Sequence, residues 1–185
     1  MPPEIIVFLD GEHSAPKISF FDMEHIHKKP GRIDYSSYEK YILSIRASLP
    51  DHIYAFASNP AYFNLESPSS LHDAWLESLV VNEVATGERN EIRQLEVKLI
   101  LLGPFHDRRI HLHYTGIAQY SFQAPPGYDQ QRYQHTAHGD LFTHEIRLGH
   151  GGLILHELLF EREATLLIEC KDFRHSEELI AKSFP

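Results

Sequence analysis

Hydrophobic spacing changes character near residue 70. In "SSYEKYILSIRASLP", Tyr38, Tyr41, Ile42, Ile45 and Leu49 fall on one stripe at helical period. Ser36 stands three residues before Glu39, a capping-box spacing, and Pro50 closes the run, so the pattern predicts a helix over 36–49. A short second helix starting at Asp51 is expected in "PDHIYAFASNP". Upstream, the apolar runs Glu4–Leu9 and Lys17–Phe21 read as strands around a loop. Beyond Ser70 the period drops to two. Strand-like segments follow at Ala74–Val81, Glu91–Leu102 and Arg108–Tyr114, the last continuing past a bend at Gly116, and then at Leu141–Leu148, Leu153–Phe160 and Thr165–Phe173. "SEELIAKSF" (Ser176–Phe184) reads as a short closing helix.

This order predicts an α+β fold in a single domain of 1–185. A mixed N-terminal part (1–66) with one clear helix precedes a largely antiparallel β-meander of about six strands (71–173), with a short C-terminal helix. The strand–helix alternation of a parallel doubly wound sheet is missing from the pattern.

Composition narrows the function classes. At 42% hydrophobic and 23% charged residues the chain can bury a core, and no apolar run reaches the length of a membrane span. No secretory signal is expected at "MPPEIIVFLDGE", and one cysteine, Cys170, fits a cytoplasmic setting. The formal net charge of −9 disfavours nucleic acid, whose phosphates need clustered Lys and Arg, and fits either simple solubility, the plainer reading, or a basic protein partner. There is no G-x-S-x-G elbow, phosphate loop or G-x-G-x-x-G.

Candidate chemistry rests on histidine. In "DLFTHEIRLGHGGLILHELLFE" the dipeptide His-Glu occurs twice, at 144–145 and 156–157, around a glycine-rich break. A two- or four-residue loop would set His144 opposite Glu157 and Glu145 opposite His156, two reciprocal pairs on opposite faces. His150 would then take a positive φ. An odd loop could bring His144 and His156 together, the geometry a divalent metal would want. His111 and His113, at i and i+2 on one strand, form the best local ligand pair, with Ile110, Leu112 and Tyr114 facing the core. The candidate metal set is therefore His111, His113, His144 and His156, against a plainer reading of solvated or carboxylate-paired imidazoles. No other cofactor is expected. Trp75 is expected in the core. In the long polar loop Gln123–His138, Tyr128 and Tyr133 are candidate anchors for a partner.

The layout "LHDAWLESL", "IHLHYTGIAQY", "HEIRLGHGGLILHELLF" and "LLIECKDF" resembles a loose family of small bacterial proteins over about Leu71–Phe173. Shared features are an HD-x-x-L start, a strand ending in tyrosine, and an H-x-x-L-F strand leading to a final "DF". The resemblance implies no reaction. Some relatives resemble immunity proteins, the antitoxin partners of secreted toxins, which implies a bacterial cytosolic protein that binds rather than catalyses. Three expectations result: an acidic, non-enzymatic binding or inhibitor module; a metal-binding protein or metal-dependent enzyme using strand histidines; or a structural, oligomer-forming domain.

Overall fold

The structure, a computed structural model, describes residues 23–123, 138–161 and 163–181. The strands expected at Glu4–Leu9 and Lys17–Phe21, and the anchors Tyr128 and Tyr133, lie outside the described residues.

The first described element is a hairpin, β1 (His27–Lys29) and β2 (Arg32–Asp34), turned at Gly31 with φ 73°. Helix α1 (Ser36–Ser44) is shorter than its stripe, which continues through a 3-10 turn at Arg46–Ser48. Ser36 does not cap α1; the Asp34 carboxylate accepts the Ser36 N–H instead, at 3.1 Å. Lys29, bonded to that carboxylate, holds its pKa below the usual range. Tyr38 and Ile42 are buried, so the stripe is the packed face as its period requires. Helix α2 (Asp51–Ala57) starts directly after Pro50, and a 3-10 turn at Pro60–Tyr62 follows.

Eight further strands build two antiparallel sheets. They are β3 (Trp75–Thr86), β4 (Ile92–Leu102), β5 (Arg108–Thr115), β6 (Gln119–Gln123), β7 (Leu141–Leu148), β8 (Ile154–Phe160), β9 (Thr165–Cys170) and β10 (Asp172–Leu179). One sheet has the order β10-β5-β4-β3 and the other β6-β9-β8-β7. Val97, Leu99, Leu101, Ile110, Leu112 and Tyr114 of the first share one core with Ile154, Leu158, Phe160, Leu166 and Ile168 of the second.

The α+β expectation is thereby overturned. Among the described residues the chain is mostly β, with ten strands in three sheets and two α-helices, and is not a six-strand meander ending in a helix. Two physical reasons account for the difference. Segments that alternate as single strands are each cut by a corner: β5 passes into β6 at Gly116–Ala118, and β9 into β10 at Lys171, which moves both from one sheet to the other. The Lys171 N–H donates to the carbonyls of Thr115 and Gly116, and a Cβ on Gly116 (φ 63°) would lie 2.9 Å from the Lys171 side chain, so the corner needs glycine. At the C-terminal end, Ser176–Leu179 pairs with His111–Arg108 of β5, and this ladder overrides the helix-favouring composition of "SEEL".

Trp75 also departs from expectation. It opens the edge strand β3 and is about half exposed, with its ring edge-on to His106.

Candidate functional site

The His-Glu repeat is resolved by the length of one loop. Leu148 pairs with Ile154, which leaves five residues, Gly149–Leu153, in the turn. Positive φ falls on Gly151 (64°) and Gly152 (81°), not on His150. The register then sets Glu145 opposite Glu157, His144 opposite Leu158 and His156 opposite Ile146. The reciprocal pairs expected from an even loop therefore do not form. Because alternate side chains share a face, the two histidines sort to the core side and the two glutamates to the other.

On the glutamate side, Arg147 bridges Glu145 (3.2 Å), Glu157 (2.7 Å) and Glu24 (3.3 Å). The Glu145 carboxylate is buried and also accepts the backbone N–H groups of His25 and Ile26, at 2.9 and 3.0 Å. Burial raises its pKa, while the His25 N–H donor and Arg147 oppose the rise.

On the core side, His144 and His156 are diagonal neighbours, with Nδ1 of His144 3.2 Å from Nε2 of His156. The Tyr114 hydroxyl lies 2.8 Å from Nδ1 of His156 and links the two sheets. Proton counting gives the chain a direction. If Tyr114 donates to His156 and His156 Nε2–H donates to His144, one donor, Nε2–H of His144, is left without a protein partner. The reverse direction strands both a hydroxyl proton and a lone pair. Phe63 stacks on His144 at 4.5 Å between ring centroids, and Phe173 stacks on His156 at 5.6 Å. Both imidazoles are at most 1% exposed. Burial pushes the His144 pKa down to about 3, with a further push from His175, and holds that of His156 well below its ordinary value.

His111 and His113 occupy the opposite, outer face of the β10-β5-β4-β3 sheet. Each meets its own carboxylate: His113 lies 3.0 Å from Glu96, and His111 3.4 Å from Glu178. The four histidines singled out from sequence thus form two pairs on different faces. Among the described residues, no three or more His, Cys, Asp or Glu side chains converge in a geometry that would hold a metal ion. A tetrahedral site wants four ligands, and the inner pair offers two nitrogens that already bond to each other.

Two cavities flank α2, and neither was marked by a sequence motif. The larger, about 550 Å³, opens between α1 and α2. Its walls are the rings of Tyr35, Tyr38, Tyr54 and Phe63 with Ile42 and Leu43, and its one charged lining residue is Glu39. The Glu39 carboxylate has no hydrogen-bond or ion-pair partner among the described residues. Arg46 already lies over the Tyr54 ring, 4.2 Å from its centroid, from outside the lining. The smaller cavity, about 310 Å³, lies between α2 and β10, where His52 bonds Asp172 and the Tyr62 hydroxyl lies 3.3 Å from His175. The only sign of the larger cleft in the sequence is the aromatic content of the α1 stripe, which serves core and cleft alike.

Among the described residues, no helix is long and apolar enough to cross a membrane. Compared with known proteins, the chain matches no family model and no curated relative.

Proposed function

We propose that the protein is a non-catalytic binding module of the bacterial cytosol, immunity-like in kind, that holds a basic protein partner through the cleft between α1 and α2. The observation that carries this reading is the cleft itself: four aromatic walls around a single carboxylate with no internal cation. Aromatic faces and a carboxylate together suit a lysine or arginine side chain, by cation–π attraction and charge pairing. The rest of the charge distribution agrees. Arg93, Arg108, Arg109, Arg147 and Arg174 each sit against a carboxylate of the same chain, so much of the positive charge is matched internally while the net charge stays at −9. Such a surface steers a basic partner and speeds its arrival at low salt.

The test is partner capture from the native cytosol with wild-type protein and with Glu39→Lys, at low and high salt. The expected result is one basic protein retained stoichiometrically by the wild type at low salt, released at high salt, and not retained by Glu39→Lys. If the wild type holds no protein electrostatically, the reading fails.

A further inference from the structure

The two large sheets have four edges, and three are short or covered. Along β7, the N–H groups of Ile146 and Leu148 donate to the hydroxyls of Tyr38 and Tyr41, at 3.1 and 3.0 Å, so α1 closes that edge. β10 lies against α2 and the turn after it, through His52–Asp172 and Tyr62–His175. β6 has only five residues. β3 differs: it has twelve, and β4 pairs with one side of it alone. Among the described residues, no backbone or side-chain group hydrogen-bonds to the backbone on its other side.

Proteins blunt such an edge with lysine, proline, a bulge or a cover. "WLESLVVNEVAT" has neither lysine nor proline; its charges are Glu77 and Glu83 alone, and its one irregularity lies at the start, between Leu76 and Ser78. Val80 is 42% exposed on the outer face, and Leu79 and Val81 already pack against the core on the inner one. A free row of N–H and C=O groups is complemented by another strand.

We propose that β3 pairs antiparallel with β3 of a second copy of this chain, joining two four-stranded sheets into one continuous sheet. The strand is its own complement. A two-fold axis normal to the sheet keeps both faces continuous, so residues placed opposite each other must share parity. Centring the pair on Val80 would oppose Glu77 and Glu83, like charges, twice. Centring it on Val81 sets Val81 against Val81 and Leu79 against Glu83 on the inner face, and Val80 against Asn82 on the outer. No like charges then face each other, and the Val97–Val81 row stays apolar across the interface.

Sedimentation equilibrium across a dilution series tests this with three full-length proteins. The wild type is expected as a dimer that dissociates on dilution. Val80→Lys with Asn82→Lys opposes like charges at both outer contacts and is expected to raise the dissociation constant about tenfold or more. Val80→Glu with Asn82→Lys places opposite charges at those contacts and is expected to restore the dimer. Neither position is fully buried, and circular dichroism with thermal melting verifies that each variant folds. A wild type with the mass of one chain at every concentration overturns the proposal. So does a dimer that responds equally to both double variants.

Discussion

Two histidine pairs, one on each large sheet, face opposite ways. His111 and His113 point outward from β5, each beside a carboxylate and open to water. His144 and His156 point inward from β7 and β8, bonded to each other and to Tyr114, with aromatic rings against them. The inner pair is buried with no carboxylate bonded to either ring, so burial penalises charge on both. Strand parity, not residue type, decides whether a histidine is a surface charge or a core polar group.

The sharpest way to break the comparison is to delete one inner ring. His156→Ala leaves a cavity between the sheets and strips the Tyr114 hydroxyl of its partner. It is expected to lower unfolding free energy by about 3–5 kcal/mol in urea titrations. A smaller loss than about 1 kcal/mol would mean that the ring is not part of the packed core.

Acid should distinguish the pairs next. The His144 pKa is depressed in the fold, so between about 6.5 and about 3 the unfolded chain binds the proton and the folded chain does not. Stability is therefore lost as pH falls through that window, by ~3 kcal/mol at pH 4 from His144 alone. His156 acts in the same direction. Urea midpoints at pH 7 and pH 4, compared between wild type and His144→Phe, measure this; a pH dependence unchanged by the substitution would refute the assignment.

The smallest effect is expected outside. Replacing both His111 and His113 with serine should change stability at pH 7 by less than ~0.5 kcal/mol, because exposed ion pairs contribute little. A large change in melting temperature would show that the outer face has a structural duty its carboxylate contacts do not reveal.

What was legible in the sequence was local. The α1 stripe and the inward row Ile110, Leu112 and Tyr114 follow from period, and the structure buries Tyr38, Ile42 and Leu49 of the stripe and all three of the row; α2 starts at Asp51, as the segment after Pro50 suggests. What was not legible depends on one-residue decisions or distant partners. The fate of both His-Glu dipeptides hangs on a five-residue turn, because a register shift of one moves every side chain to the other face. The C-terminal strand depends on β5, whose paired residues lie 57 to 71 positions away. The cleft takes its aromatic walls from α1, α2 and the turn after α2, and no spacing rule relates them.

The tyrosines of α1 have one more consequence. Residues 71–181 contain every strand of both large sheets, and a chain trimmed to begin at Leu71 would look whole by strand count. It would lack the two hydroxyls, contributed from more than a hundred positions upstream, that end the ladder at β7. Phe56 and Phe63, which lie against His144, would go with them. The segment from α1 to Phe63 is thus part of the wall around the sheets, and the natural place to cut this protein is not where its pattern changes.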